Sequence, residues 1–303
     1  MIEHVKEEGL LVPGRPVLVL LSGGRDSTCL LDLAVRIAGD GAVRALHVNY
    51  GLREAAALDE RHCVSLCARE GVPLKLLRPA APERGNLQAW ARGVRYEAAS
   101  EIAAGMDIAA GHTSTDQVET VLYRLASSPS RRALLGMRRR EGPLIRPLLS
   151  FTRAQTRAYC VERGLKWRED ESNEDPAFAR NRVRAELVPV LSRIHPAAEQ
   201  NVLTVAALLR DEAEVLDELV DGVLAGSNEI ALAALRELRP ALRRLVVQRL
   251  ADGAAGAPAP GVARRADEIA AMGETAMLDL PVVRARTEHG ILRFESEHGP
   301  PHR

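Results

Sequence analysis

The sequence predicts an α/β protein: a doubly wound, mainly parallel sheet with helices on both faces, followed by a smaller, mostly helical domain that ends in a short β hairpin. Three observations carry this. Short apolar runs alternate with helical segments through the first half, which is how repeated strand–helix–strand units read. The leading run is apolar without interruption, as in strands buried on both faces. The second half changes to long Leu/Ala/Glu-rich helical stretches and closes on β-like runs. At 303 residues the chain is too long for one ordinary core. The change of character falls near Pro189–Pro196, giving expected domains of residues 1–192 and 193–303.

Taken in order, Pro16–Leu21 (PVLVLL) meets a Ser-Gly-Gly turn and reads as a buried strand. Thr28–Ala38 follows as a helix, with Leu30, Leu31, Leu33, Ala34 and Ile37 at helical spacing. Ala42–Val48 is the second strand, Ala55–Glu70 a helix, Pro73–Leu77 the third strand and Asn86–Ala104 a helix. Met106–His112 is a fourth strand that runs into a polar loop. In open parallel sheets ligands bind beyond the carboxyl ends of the strands. The loops Ser22–Ser27 and His112–Glu119 both fall at such ends, which favours one shared site. Thr152–Arg163 and Asn181–Leu191 read as helices separated by an acidic, turn-rich stretch. Pro196–Val223 is a long helical region, and Ile230–Ala251 continues the theme with a break at Pro240. Gly253–Gly261 is a loop or linker by composition. The β-like runs around His289-Gly290 predict the terminal hairpin.

An apolar fraction of 46% and a charged fraction of 27% exclude a disordered chain or a fibre. No run approaches about 18 apolar residues, so no transmembrane helix is expected. The acidic N-terminus does not read as a secretory signal. Cys29, Cys63, Cys67 and Cys160 form no CxxC pair and no zinc ligand set, and read as buried or idle thiols in a reducing compartment. The expectation is a soluble, cytoplasmic protein without a membrane partner. Forty-one basic residues balance forty-one acidic ones, yet Arg124–Arg184 holds fifteen Arg or Lys against seven Asp or Glu. That excess fits a phosphate-binding face or a solvated arginine-rich surface. With 3% aromatic residues a broad base-stacking platform is not expected.

The strongest local signal is Ser22-Gly23-Gly24-Arg25-Asp26-Ser27. Glycines after a buried strand let backbone N–H groups converge, and the following helix presents its positive dipole end, so an anion such as nucleotide phosphate fits there. Neither a Walker lysine nor GxGxxG is present. The plainer alternative is that Ser22 and Asp26 only cap the helix. Strand, SGGxDS and helix in this order resemble the pyrophosphatase-loop (PP-loop) ATPase family. That resemblance implies cleavage of ATP between its α and β phosphates and adenylation of a carbonyl-type oxygen. It assigns ATP to Ser22, Gly23, Gly24, Arg25, Asp26 and Ser27, with Asp26 as a Mg²⁺ ligand.

Further motifs narrow the resemblance: His47–Arg53 (HVNYGLR), Asn86–Tyr96 (NLQAWARGVRY), Gly111–Thr120 (GHTSTDQVET) and Gly136-Met137. Ile145–Leu149, Glu169–Asn173 and Arg180–Arg184 follow in order. Over roughly residues 16–192 the chain resembles the tRNA(Ile)-lysidine synthetase family. The resemblance implies that ATP adenylates C2 of the wobble cytidine in a CAU-anticodon tRNA(Ile), and that free L-lysine then displaces AMP. It implies catalytic roles for Asp26, Arg92, Arg95, His112, Asp116, Glu119 and Arg182. Asp116 and Glu119, three apart, share a helical face that suits an ammonium group, or else are acids favoured at a helix N-terminus. Arg131, Arg132, Arg180, Asn181 and Arg184 are expected to meet tRNA or the adenylate, with the second domain contacting tRNA. By analogy alone a homodimer is expected.

The chain departs from the family pattern in places. Thr115-Asp116 stands where paired aspartates are usual, Ser127–Leu134 replaces a glycine-rich loop, and Glu171 replaces a proline. Pro129 and the lost glycines predict a stiffer loop. The chain also reads as ending without a further RNA-binding domain. These departures keep two alternatives open: a tRNA-thiolating PP-loop enzyme, and a non-catalytic nucleotide- or tRNA-binding protein on the same scaffold.

Overall fold

The computed structural model describes residues 1–52, 55–82, 85–169 and 179–296. Arg53 of the second motif and residues 170–178, which hold most of the acidic motif and the Glu171 departure, lie outside the described residues. Contacts divide the chain into two units, Met1–Ala207 and Leu208–Arg303.

In the first unit the chain runs α1 (Ile2–Glu7), β1 (Val17–Leu20), α2 (Arg25–Ala38), β2 (Val43–Val48), α3 (Ala56–Glu70), β3 (Leu74–Leu77), α4 (Leu87–Ile102) and β4 (Asp107–Ala109). It continues through α5 (Ser114–Ser127), α6 (Arg131–Leu134), β5 (Arg140–Glu141), β6 (Leu144–Ile145), α7 (Arg153–Glu162), α8 (Ala179–Arg182) and α9 (Val188–Ile194). The sheet order is β3-β2-β1-β4-β6-β5, parallel throughout except for the β5–β6 pair. The chain walks outward from β1 to β3 and then returns to lay β4 on the other side of β1. Strand order therefore reverses between β1 and β4, which opens a crevice at their carboxyl ends.

Side-chain alternation places helices on both faces of this sheet. Val17, Val19 and Leu21 pack into one core with Leu30 and Leu33 of α2, Cys63 and Leu66 of α3, and Tyr159 and Cys160 of α7. Leu18 and Leu20 pack into the other with Ala99 and Ala103, Ile108 and Ala110. Each fully buried leucine contributes about 2 kcal/mol of transfer free energy. All four cysteines are free and buried. Burial pushes the Cys63 and Cys67 thiols up to about 12. The first-half strands and helices fall where the sequence places them; the short β5–β6 hairpin carries no pattern of its own and was not expected.

The long helix α10 (Ala198–Leu224) crosses the division between the units. The second unit adds β7 (Glu229–Ala231), α11 (Leu232–Glu237), α12 (Pro240–Ala255), α13 (Ala266–Ala270), β8 (Ala276–Asp279), β9 (Val283–Glu288) and β10 (Ile291–Ser296). Its own core gathers Val246, Val247 and Leu250 of α12 with Val262, Ile269, Val283, Leu292 and Phe294. The expected hairpin is present. Glu288 pairs with Ile291 across a two-residue turn whose residues, His289 and Gly290, have φ of 49° and 74°, the geometry that matches strand twist. It is half of a larger sheet, however: four antiparallel strands in the order β7-β10-β9-β8. Ile230 belongs to β7 and not to a helix, because Glu229–Ala231 pairs with Ile291–Arg293 far along the chain. The break at Pro240 is real; the proline starts α12, where its missing N–H costs nothing. Among the described residues no helix is long and apolar enough to cross a membrane.

Candidate active site

β1 delivers the chain into Ser22-Gly23-Gly24 at the crevice. Gly23 has φ of 84°, and a Cβ there would sit 3.1 Å from Cys63 Sγ, so the turn requires glycine. Gly24 is the N-cap of α2 and no side chain caps that end. Ser22 and Asp26 are therefore not helix caps, and the N–H groups of the first turn are left for an anion. The Ser27 hydroxyl donates to the Gly24 carbonyl at 2.9 Å and accepts the Ser22 N–H at 3.2 Å, closing the loop on itself. On the β4 side, a Cβ on Gly111 would approach the Asp26 carbonyl and the Ser27 nitrogen at 3.2 Å. The two loops named by the sequence thus touch through backbone.

Three carboxylates converge beside this junction. Asp26, on the first turn of α2, accepts Arg25 Nε at 3.0 Å and Arg25 Nη2 at 3.3 Å, and the Thr156 hydroxyl at 2.5 Å. Asp116 closes a capping box at the start of α5: its Oδ2 accepts the Thr113 N–H at 2.8 Å and the Thr113 O–H at 2.7 Å. Its Oδ1 meets Arg153 Nη2 at 2.7 Å and Arg180 Nη2 at 3.4 Å. Burial alone would raise the Asp116 carboxyl, but Arg153 and Arg180, with the Thr113 hydrogen bonds, outweigh it and hold the group below its ordinary value. Glu119, three residues on, is fully buried. It accepts Arg153 Nη1 at 3.1 Å, Arg180 Nε at 3.2 Å and Arg184 Nε and Nη2 at 2.6 and 3.0 Å.

Asp116 and Glu119 do share a face, as their spacing predicts, and that face meets guanidinium groups. Arg180 and Arg184 are four apart and point to the same side. Arg182, between them, is exposed and is not among the arginines that reach these carboxylates. A π-helical stretch at Val183–Leu187 carries Arg184, just before Pro189 interrupts the regular ladder. Asn181 lies in α8 between the paired arginines, and Arg131 and Arg132 open the short α6 behind its Ser130 cap.

The central arginine, Arg153, was not singled out by the sequence. It opens α7 behind a Thr152–Gln155 capping box and also reaches Asp26 Oδ2 at 3.7 Å. A positive charge in the first turn opposes the helix dipole, and α7 has no acid there. That mismatch is the signal by which a paired, functional arginine could have been suspected. Thr115, the departure from paired aspartates, accepts the Arg153 N–H at 3.2 Å. It anchors α7 instead of facing the carboxylate cluster.

His112 lies in the loop after β4, with Nδ1 buried and lacking a hydrogen-bond partner among the described residues. Burial lowers its pKa to about 4, with Arg146, Arg180 and Arg95 acting in the same direction against Asp116. It is a neutral imidazole at ordinary pH. Arg92 and Arg95 of α4 flank the Tyr96 ring, at 4.9 and 5.3 Å from its centroid; Arg95 also acts on His112, and among the described residues neither arginine bonds to the three carboxylates. Gln117 clamps the Gly136-Met137 motif, donating to the Met137 carbonyl at 2.9 Å and accepting the Met137 N–H at 2.7 Å. A Cβ on Gly136 would collide with that amide at 2.7 Å.

Among the described residues no group of three or more His, Cys, Asp or Glu is disposed to hold a metal by itself. Magnesium keeps waters and substrate phosphates and needs only one or two carboxylates. Asp26, beside uncapped N–H groups, fits that demand.

The PP-loop domain family matches residues 2–191. The tRNA(Ile)-lysidine synthase of Pseudomonas fluorescens is 38% identical over 209 residues, 66% of this chain and 47% of that protein. That of Symbiobacterium thermophilum is 35% identical over 336 aligned positions, 98% of this chain and 68% of that protein. A U34-tRNA thiolase from Methanococcus maripaludis shares the fold at a TM-score of 0.57 and 17% identity, over 69% of this chain and 77% of that one. The chain spans about half the length of curated relatives such as those of Pseudomonas fluorescens and Thermus thermophilus.

Proposed function

Because this chain belongs to the tRNA(Ile)-lysidine synthase family of PP-loop proteins, we propose that it ligates L-lysine to C2 of the wobble cytidine in a CAU-anticodon tRNA(Ile). In the first step the C2 oxygen attacks the α-phosphorus of ATP, the α–β bridge breaks and diphosphate leaves. In the second, the lysine amine forms a bond to C2, the C2–O bond breaks, AMP departs and the amine loses a proton. The cytosine then pairs as lysidine, which changes the codon read. The cytoplasm, where tRNA, ATP and free lysine occur together, is the natural setting.

The residues divide this work. The free N–H groups at the start of α2, with Ser22, Gly23, Gly24 and Ser27, hold the polyphosphate. Asp26 would hold a magnesium ion, which supplies positive charge to the phosphate oxygens as diphosphate leaves. Arg25, Arg153, Arg180 and Arg184 neutralise charge that builds on the transferred phosphoryl group. Asp116 and Glu119 take up the lysine amine; Asp116, held ionised, is a weak proton acceptor, so its part is to place the cation. Neutral His112, with Arg92 and Arg95, borders the position of the reacting base, offering a donor and an acceptor without adding charge. Arg131, Arg132, Asn181 and Arg182 face the tRNA.

The single observation that carries this reading is the meeting, at the strand-order reversal, of an uncapped phosphate-type loop with buried acids from the next strand's helix. A sulfur-transfer reading is less well supported, since all four cysteines are buried. The test is incorporation of radiolabelled lysine into a CAU-anticodon tRNA(Ile) transcript. ATP-dependent labelling that disappears when the wobble base is changed is the expected outcome. Absence of labelling with tRNA binding intact would remove the ligase assignment.

A further inference from the structure

The acids assigned to lysine have no oxygen to spare. Asp116 Oδ2 is taken by Thr113, and Oδ1 by Arg153 with Arg180. Both Glu119 oxygens are held by guanidinium groups, Oε1 by Arg153 and Arg184, Oε2 by Arg180 and Arg184. An ammonium group needs acceptors, so an amine can enter only if an arginine withdraws.

Arg153 is the arginine placed to do so. It alone among the described residues is paired with Asp26, Asp116 and Glu119 together, at 3.7, 2.7 and 3.1 Å. Its Nε end, on Asp26, is the loosest of these contacts and lies at the phosphate-type loop. Its main chain is fixed: Thr115 holds the Arg153 N–H, and Thr152 with Gln155 closes the capping box around it. The side chain can therefore turn without moving α7. Arg25, Arg153 and Arg157 line a groove of about 620 Å³ along α7. Guanidinium groups bind phosphate oxygens in the same two-pronged way as carboxylates, so a polyphosphate arriving at the loop competes directly for Arg153.

We propose that Arg153 is an exchange element: it releases Asp116 and Glu119 to grip the ATP phosphates, and the acceptor positions it leaves on Asp116 Oδ1 and Glu119 Oε1, beside the bonds that Arg180 and Arg184 keep, become the lysine site. Nucleotide then loads before lysine, and an empty enzyme discriminates against free cations because its own arginine occupies the acids. This rests on the reading of Asp116 and Glu119 as the amine site.

The experiment is equilibrium dialysis of radiolabelled L-lysine with the full chain, without tRNA, with and without saturating Mg²⁺ and α,β-methylene-ATP. In the wild type the nucleotide tightens lysine binding about tenfold or more, a usual size for coupling between sites, and lysine tightens nucleotide binding by the same factor. In Arg153→Met lysine binds without nucleotide and the coupling factor falls towards one. Arg153→Lys, which keeps the charge but loses the fork, gives reduced coupling, and a thermal melt of each variant checks folding. Should Met prove unfolded, the wild-type reciprocity and the Lys variant decide. A wild-type coupling factor of one, or full coupling retained in Arg153→Met, overturns the exchange while leaving the ligase reading intact. Lysine that binds under no condition removes both.

Discussion

Both ends of the first unit's sheet carry arginine–carboxylate clusters, and they are built to different ends. At the amino end, Asp107 opens β4, nearly buried, and accepts Arg140 at 2.7 and 3.1 Å and Arg15 at 2.9 Å. One acid is met by two arginines whose outer sides lie in solvent, and the result pins β4 to β5. At the carboxyl end three acids from α2 and α5 are met by Arg25, Arg153, Arg180 and Arg184, from different segments. An uncapped helix and a neutral histidine with an unpartnered nitrogen stand beside them. A salt bridge that serves the fold is closed on itself. On the proposed function, the surplus of guanidinium groups held by acids next to N–H donors is what receives the phosphates.

Substitutions separate the two ends. Asp26→Ala should have the largest effect on chemistry, lowering tRNA-dependent AMP formation about a hundred- to a thousandfold, in line with loss of a charge-stabilising group. tRNA affinity should be retained. Normal turnover in this variant would move the metal elsewhere. Glu119→Gln removes a fully buried charge from between three arginines. It should cost about 3 kcal/mol in a denaturant melt and raise the KM for lysine more than that for ATP; an unaltered lysine dependence would place the amine at another acid. At the other end, Arg140→Ala should cost about 1–3 kcal/mol by leaving Asp107 short of donors while kcat and both KM values stay as they were. A loss of activity in a folded Arg140 variant would mean the two clusters communicate.

The smallest effect is one of pH. His112 has a folded pKa of about 4 against an ordinary value of 6.5. Between these values the unfolded chain binds the extra proton. The contribution of His112 to stability is therefore complete above pH 6.5 and is lost as the pH falls towards 4. Its ring protons should show no titration from pH 7 down to pH 5.5 by NMR. A midpoint near 6.5 would mean that the imidazole is hydrated and free.

Local chemistry explains what could be read from the sequence and what could not. The order β1, glycine loop, α2 was legible because strand burial, turn residues and helix start lie within about a dozen positions. So was the Asp116–Glu119 face, which follows from helical spacing alone. Arg153 and Thr156 were not, since their partner Asp26 lies more than a hundred residues away and only the packing of α7 on α2 brings them together. β7 was missed for a similar reason. Three residues have no periodicity to speak of, and their pairing with β10 is set by the tertiary fold. The antiparallel sheet of the second unit thus emerged from a hairpin whose turn was plain in His289-Gly290.

The buried cysteines have a practical consequence. Thiolate, not thiol, reacts with maleimides and iodoacetamides, and here steric cover and raised thiol pKa values at Cys63 and Cys67 act together. A single cysteine introduced on the exposed side of α7, at Arg157 for instance, would be labelled well ahead of the native four. A fluorophore or spin label could then report on the groove beside Arg153 in real time, with the native sulfurs left in place.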